Sequence, residues 1–342
     1  MTYTIPIIIL NWNGRRVLKP CFDSIEKQSY GNHQIHLVDN GSETEDKAFC
    51  ANYAAQNSKV VYYDLPENLG FAPACNMVLE KLIKQGEFKF VALLNNDTEV
   101  SENWLEEMLQ TAEEHQLDMV SSKQVFYANP KKIDNLGLTL ISTSEIMPVA
   151  ARELAEQHTA FKPNLCPSAG AGLYRLEIFE KAGYFNTYFK TCYEDAELGL
   201  RAVLLGYKSG IAINAVVKHR VSYSVNKAKT ADYGTILQKN MLFTYFSLMP
   251  LSIVAVKLPL IVFKTLAISL LALLTFRFKL LKSQMGGLGV VVFRFSELVK
   301  RRKQVKHKLS FVQVLKLHKS FLGFYIKYFK NFIVSSKPTV LE

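Results

Sequence analysis

The stretch "FKFVALLNNDTEV", residues 88–100, decides how the chain is read. Its first seven residues, 88–94, form a largely apolar run of strand length that stops at Asn95, Asn96 and Asp97. After Ser101 the segment "ENWLEEMLQTAEEH" (102–115) has the period of an amphipathic helix. A strand that is apolar throughout, not only at alternate residues, is buried on both faces, as in a parallel sheet covered by helices. Oxygen-bearing side chains crowded at the carboxyl end of such a strand stand where open α/β sheets take their ligands.

The same unit repeats toward the N-terminus. "IPIIIL" (5–10), "QIHLVD" (34–39) and "KVVYYD" (59–64) read as strands, separated by helical patterns over 15–28, up to about 56, and over 70–85. Ser42 and Glu45 fit a capping box for the second helix. Pro73 is tolerable in the first turn of the third. A fifth strand is expected at "DMVSSK" (118–123). This alternation predicts an α/β fold with a doubly wound, mostly parallel sheet flanked by helices. The strand ends carry polar clusters: "NWN" (11–13), Asp39-Asn40, Asn68 with Gly70, and Asn95-Asn96-Asp97. Any one cluster is ordinary turn chemistry. Four at equivalent positions point to a ligand.

Residues 126–165 are polar and poorly periodic, and read as an insertion or mobile loop with one short helix at 149–157. "SAGAGLYRLEIFEKAGYF" (168–185) reads as small residues followed by a helix. "TCYEDAELGLRAVLLGYK" (191–208) reads as a helix with Glu194, Asp195 and Glu197 in its first turn, and with Thr191 and Glu194 as a capping box. "GIAINAVVKH" (210–219) reads as a strand that delivers His219 at its end.

The net charge of +11 hides a division. Residues 1–239 carry 24 Lys+Arg against 28 Asp+Glu, and residues 240–342 carry 17 against 2. A tail so basic seeks phosphate, on nucleic acid or on anionic lipid. The five cysteines, Cys21, Cys50, Cys75, Cys166 and Cys192, fall singly inside apolar patterns with no Cys-x-x-Cys pair. That predicts reduced, buried thiols in a cytosolic compartment, neither a disulfide framework nor a zinc site. "MTYTIPIIILNWNG" has no basic region before its short apolar run, so it is expected to be a strand and not a secretory leader. No Walker A pattern exists and no G-x-G-x-x-G follows the first strand, which sets aside kinase-like and dinucleotide-binding readings. A nucleotidyltransferase would need a Gly/Arg/Lys-rich loop there, and "NWNGRR" (11–16) offers Arg15 and Arg16 with one glycine.

The remaining motifs suggest chemistry. Mg²⁺ or Mn²⁺ takes one or two protein carboxylates and completes its shell with phosphate oxygens and water, which suits Asp97 at a strand mouth. Such an ion neutralises charge on a departing diphosphate. His219 is a candidate further ligand, or the partner of one. Acidic residues in a helix's first turn are favoured by its dipole whatever the function. Glu194-Asp195 also offers a carboxylate that can act as general base toward a substrate hydroxyl.

On these residues the chain resembles glycosyltransferase family 2, the inverting nucleotide-sugar enzymes with a GT-A fold. More narrowly it is similar to the rhamnosyltransferase-like branch that builds bacterial surface polysaccharides. The resemblance is carried by "IIILNWNG" (7–14), "LVDNGS" (37–42), "ENLGFAPACN" (67–76), "LLNNDTEV" (93–100), "AGAGLYRLEIFEKAGYFNTYF" (169–189), "YEDAELGLRAVLLGYK" (193–208) and the His219 region. They run in family order across about residues 4–223. The resemblance implies that Leu10, Asn11 and Asn13 lie near the nucleotide, that Asp39 hydrogen-bonds the base, and that Asn68, Gly70 and Asn76 line the same pocket. It makes Asn96 and Asp97 the D-x-D-like element, with Asp97 on Mg²⁺ or Mn²⁺ and His219 beside it. Asp195 would be the catalytic base, with Glu194 contacting the acceptor. Two departures stand out: asparagine at the first acidic position of the D-x-D-like element, and Pro73-Ala74 where small glycines often follow "GFA". The implied donor is a TDP- or UDP-linked sugar, with rhamnose suggested by the branch, and the implied acceptor is a lipid-linked saccharide. A catalytically silent nucleotide-sugar-binding or membrane adaptor protein would keep the strand-end clusters but tolerate loss of the acidic pair. The intact "YED" (193–195) and Asp97 favour the enzyme.

The tail completes the expectation. Residues 242–276 are apolar but interrupted by Lys257 and Lys264, with Pro250 and Pro259 as expected breakers. The longest uncharged run after Lys264 is twelve residues, 265–276, against the ~20 that a spanning helix needs. Lys257 and Lys264 share a helix face, which predicts helices lying in a membrane interface with their lysines snorkelling. "LVKRRKQVKHKLSF" (298–311) and "LHKSFLGFYIKYFKNF" (317–332) add cations among aromatics without a nucleic-acid recognition motif. The expected partner is therefore an anionic membrane surface and not nucleic acid, with the protein cytoplasmic and peripheral on the inner face of the cell membrane. The expected organisation is a catalytic domain over 1–225, with a donor half to about 125 and an acceptor half from 126, then a basic helical region over 226–342.

Overall fold

The computed structural model describes residues 3–189, 191–221 and 233–326. The chain forms two compact units. One comprises Met1–Leu138, Pro148–Val203 and Tyr207–Ala228, the other Thr139–Met147, Leu204–Gly206 and Lys229–Glu342. The expected boundary at 225/226 lies outside the described residues, as do residues 327–332 of the last aromatic-basic stretch.

The first unit opens with the expected alternation: β1 (Ile5–Asn11), α1 (Arg15–Ile25), β2 (His33–Asn40), α2 (Thr44–Gln56), β3 (Val60–Leu65), α3 (Phe71–Gln85) and β4 (Phe90–Leu94). The strands lie in the order β3-β2-β1-β4 and all run parallel. Ile5, Ile7 and Ile9 of β1 pack with Leu18 and Phe22 of α1 in the main core. Each such side chain contributes about 1.5–3 kcal/mol on burial, so the sheet is held firmly and its polar strand ends are fixed in place.

The chain continues as β5 (Thr98–Val100), α4 (Trp104–Glu114), β6 (Met119–Phe126), β7 (Asn129–Asn135), β8 (Leu138–Ile141), β9 (Ile146–Pro148), β10 (Ala171–Arg175), α5 (Glu177–Lys181), α6 (Glu194–Leu204) and β11 (Ser209–His219). Beyond β4 the sheet runs β10-β6-β11-β5, with β7 also on β6. It is mixed in this half. β10 is antiparallel to both its neighbours, while β11 is parallel to β6 and antiparallel to β5. The strand over 171–175 escapes sequence patterning because its glycine lowers strand propensity. Gly172 is required there, since a Cβ would lie 2.7 Å from the Pro167 side chain.

Residues 126–165 are not a mobile loop. They form β7, β8 and β9, and the helix expected at 149–157 is a single 3₁₀ turn, Ala155–Gln157. Buried Ile133 and Leu136 pack with Val125 and Ile211, but Lys131, Lys132, Asp134 and Asn135 around them break the apolar pattern. Neither capping box forms as expected. α2 begins after Glu43 without a side-chain cap, and the Ser42 hydroxyl instead accepts the Asn13 N–H. α6 begins at Glu194 itself, after Cys192 and Tyr193 at φ 66° and 77°. Two successive left-handed residues that are not glycine mark stored backbone strain.

The second unit holds the helices Tyr233–Leu248, Leu251–Leu274, Phe278–Phe293, Phe295–Gln304 and Phe311–Leu317. β12 (His318–Lys319) pairs in parallel with Leu140 and Ile141 of the Thr139–Met147 segment. Pro250 caps the long helix, but Pro259 lies inside its 24 residues and does not break it. Among the described residues this helix is long and apolar enough to cross a membrane by length and composition, so the twelve-residue run understates it. Lys264 does not snorkel. Its Nζ is buried 2.7 Å from Glu145 Oε1, which also accepts the Tyr325 hydroxyl at 3.3 Å.

Removing one member of a buried ion pair strands the other charge, at a cost of about 3–5 kcal/mol. Glu145→Gln is therefore expected to lower unfolding stability by about that amount in a urea titration, while Glu145→Leu with Lys264→Met recovers most of it. A Glu145→Gln curve that overlays the parent would contradict the burial of this pair.

Candidate active site

The candidate site grows from the carboxyl ends of the parallel strands. The register places Asn11 beside Asp39. Asn11, fully buried, donates its amide toward Asp39 Oδ2 at 3.4 Å and accepts from Asn96 Nδ2 at 2.9 Å. Asp39 is also fully buried, and its Oδ1 accepts the Ser42 N–H at 2.8 Å. Gly14 must lack a side chain, because a Cβ would sit 2.4 Å from the Asn96 amide and 2.7 Å from that of Asn11.

One residue further, Asp97 meets the end of β11. His219 pairs with Thr98 across β5 and β11, so its imidazole faces Asp97, with Nε2 3.3 Å from Asp97 Oδ1. Its other nitrogen, Nδ1, lies 2.9 Å from Asp134 Oδ2. Burial pulls the His219 imidazolium down, but hydrogen bonds and charge from Asp134 and Asp97 outweigh this and push its pKa up to about 10. Asp134 is absent from the sequence reading, since "KKIDNLG" (131–137) looks like turn chemistry; it becomes visible only when β7 aligns beside β6.

The acidic pair reaches the same strand edge by another route. Ala169 donates its N–H to Asp195 Oδ2 at 3.0 Å, and Ala196 donates to Oδ1 at 2.8 Å. The next residue of that loop, Gly170, accepts the Asn95 N–H at 2.9 Å. Asp195 and Asp97 are thus tied to two ends of one short connection, the residues 95–97 and 169–170. Space is tight here: a Cβ on Gly170 would lie 3.2 Å from Asn95 Nδ2 and 3.3 Å from Gln124 Oε1, a buried acceptor with no partner among the described residues. The loop residues 168–170 were legible only as small residues, without a hint that their N–H groups hold a carboxylate.

Glu194 is buried and Asp195 partly exposed. Burial pushes the Asp195 carboxyl up, opposed by the N–H groups of Ala169 and Ala196. Burial pushes Glu194 up to about 8, opposed by its own N–H and assisted by the charge of Asp195. Burial thus favours the neutral form of Glu194 near neutral pH, while the N–H groups of Ala169 and Ala196 work against the upward push on Asp195. Glu197 forms a buried pair with Arg201, whose guanidinium binds the Tyr184 carbonyl at 2.7 Å and fastens the approach to α6.

Other expected residues have structural duties. Asn13 accepts the Glu43 N–H at 2.7 Å, and Leu10 is half-buried opposite Val38. Asn68 is exposed, and its Oδ1 accepts the Asn40 amide and the Gly70 N–H. Gly70, at φ 83°, needs the freedom of glycine. Asn76 clasps the Phe185 backbone in both directions, at 2.8 and 3.0 Å, so its amide is spent on holding α3 to the chain before α6. Cys21, Cys50, Cys75 and Cys166 are free and buried, with burial raising each thiol's pKa, while Cys192 is partly exposed.

In open α/β sheets ligands bind beyond the carboxyl ends of the strands, which is where these side chains lie. Residues 7–183 match the sequence profile of glycosyl transferase family 2, and the chain belongs to that family. It is 29% identical over 120 residues to Glycosyltransferase GlyG of Streptococcus pneumoniae serotype 4, covering 35% of this chain and 38% of GlyG. It is 25% identical over 226 residues to O-antigen biosynthesis protein RfbC of Myxococcus xanthus, covering 63% of this chain and 17% of RfbC. The chain thus spans less than half the length of either relative. GalNAc-T7, solved with UDP, GalNAc and Mn²⁺, shares the fold at a TM-score of 0.58 and 14% identity over 72% of this chain and 48% of that one. That likeness extends to the α/β sheet of the GT-A type.

The Glu194 pKa carries a signed consequence. An unfolded glutamate releases its proton near 4.5 and the folded one near 8, so stability is fully present below the first value and declines as pH rises through the second. Glu194→Gln removes this dependence. In melts taken from roughly pH 5 to 9 it is expected to gain on the parent steadily. Parallel curves would show that Glu194 is already ionised in the fold.

Proposed function

We propose that the protein is an inverting glycosyltransferase that moves a sugar from a nucleoside-diphosphate carrier to a hydroxyl of a saccharide acceptor. The observation that supports this best is the Asp195 cradle. A carboxylate with both oxygens held by N–H donors sits one residue along the loop from the strand end that carries Asp97.

The divalent ion expected from the motif fits the donor set. Asp97 and His219 already face one another at 3.3 Å, and the unpartnered Gln124 Oε1 adds polarity near the adjoining loop. Among the described residues no cluster of three or more protein ligands exists. The seat therefore suits an ion that completes its shell with diphosphate oxygens and water. Asp97 would hold Mg²⁺ or Mn²⁺, with His219 joining it on release of the imidazole proton that Asp134 and Asp97 otherwise favour, and the ion would supply neutralisation of the diphosphate charge. Asp134 aligns the His219 ring from behind.

In the proposed reaction Asp195 takes the proton of the acceptor hydroxyl. The alkoxide attacks the anomeric carbon, the bond to the diphosphate oxygen breaks on the opposite face, and configuration inverts. Charge develops on the ring as in other glycosyl transfers. Neutral Glu194 serves as a donor to the acceptor sugar. The RfbC likeness supports surface polysaccharide as the product. The branch resemblance alone supports rhamnose as the sugar, TDP or UDP as the carrier and a lipid-linked acceptor. The basic, apolar helical unit supports work at the inner face of the cell membrane, on its cytoplasmic side.

Asp195→Asn preserves shape and removes the base, so transfer is expected to fall about 10²–10⁴-fold with donor affinity by calorimetry unchanged. Turnover near that of the parent would exclude Asp195 as base. Asp134→Asn is expected to weaken Mn²⁺ affinity about 10–100-fold by titration of the protein with the metal alone. An unchanged affinity would leave Asp134 with no part in the seat.

A further inference from the structure

The helix Leu251–Leu274 is inside out. Its protein-facing stripe contains Ile253, Ile261, Thr265 and Ala272, together with Lys264. Lys257 lies seven residues before Lys264, on that same side. The open face carries no charged residue. Leu258, Val262, Phe263, Leu266 and Leu270 stand on it, with Phe263 67% and Leu266 60% exposed. In water an amphipathic helix turns its charges outward. This one turns them in and satisfies Lys264 with Glu145 at 2.7 Å.

The open face is matched by further exposed apolar side chains in the same unit. Among the described residues 23 large apolar side chains are exposed, and 20 of them lie between Leu251 and Ile326. So many exposed large apolar side chains in one stretch of chain mark an interaction site. Its charge selects the partner: residues 240–342 carry 17 Lys+Arg against 2 Asp+Glu, complementary to anionic lipid.

The same ion pair shows how the helix meets lipid. Glu145 ends a turn whose residues Ser142, Thr143 and Ser144 are all buried, and that turn packs at the middle of the helix through Lys264. The turn joins strands of a small open sheet, β12-β8-β9. An open sheet edge and a polar turn have no place in the hydrocarbon core. The long helix therefore has protein along one side of its midpoint and nothing but apolar side chains on the other.

We propose that Leu251–Leu274 lies in the plane of one leaflet of an anionic membrane, its uncharged face among the acyl chains and its lysine face held to the protein by Glu145, without crossing the bilayer. This rests on the membrane association proposed above and adds its geometry. At 1.5 Å per residue the helix would lay ~36 Å of apolar surface along the leaflet.

Tryptophans introduced one at a time into the full chain, Leu251→Trp, Phe263→Trp and Leu274→Trp, test it on vesicles of phosphatidylcholine with and without phosphatidylglycerol. Quenching by lipids brominated at shallow or deep acyl positions reads depth, after subtraction of the parent's Trp12 and Trp104 signal. The expected result is binding that requires phosphatidylglycerol, with all three tryptophans at the same shallow depth. A Phe263→Glu variant, with its Glu145–Lys264 pair intact, is expected to lose binding about tenfold or more. Binding with the Phe263→Trp probe far deeper than both ends would show a spanning helix and overturn the in-plane geometry alone. No binding to either vesicle, or burial of the probes by self-association without lipid, would overturn the membrane association itself.

Discussion

The hydrogen-bonded line of side chains across the strand ends is the constraint on which the rest of this structure depends. Asp39 holds Asn11, Asn11 holds Asn96, and one residue on, Asp97 faces His219, which leans on Asp134. Four strands and the connection between β4 and β5 contribute, so their relative registers are coupled at their tips. Polar groups buried this deeply are tolerated only when each finds a partner, since an unpaired one costs about 1–3 kcal/mol. The line therefore specifies the arrangement of the sheet mouths as much as it prepares them for chemistry. The closeness of Gly14 to two of its amides shows how little slack remains.

Against this line the protein sets a second, differently built element. Asp195 is placed by a loop of small residues and by a helix that starts without the expected cap, after two strained residues. The Glu197–Arg201 pair and the Asn76 clasp brace that approach from either side. Backbone strain of this kind persists only where the surrounding bonds over-determine it, as they do beside this carboxylate.

Much of this was legible in advance, for physical reasons. Buried parallel strands announce themselves as apolar runs, and the Asn/Asp clusters at their ends stood out because such residues are expensive to bury. His219 was found because it ends a strand. Asp134 and the N–H groups of residues 168–170 were not, because a backbone donor has no sequence signature and an aspartate beside an asparagine looks like a turn. β10 was hidden by its glycine, β7 by lysines beside its few buried residues, and β8 and β9 by being only four and three residues long. Asp39 and Asn76 were identified, but their side chains are engaged in holding strands and loops. The long helix was misjudged because its lysines were assumed to face water, and only the partner 119 residues away in sequence, Glu145, shows where Lys264 goes.

The central claim is that a base at Asp195 and a leaving diphosphate at Asp97 act from opposite faces of one sugar. The most direct test is the stereochemistry of a single turnover, read as the one-bond carbon–proton coupling at the anomeric centre of donor and product by NMR. The account predicts that an α-linked donor yields a β-linked product, and a β-linked donor an α-linked one. A product that keeps the donor's configuration would contradict it.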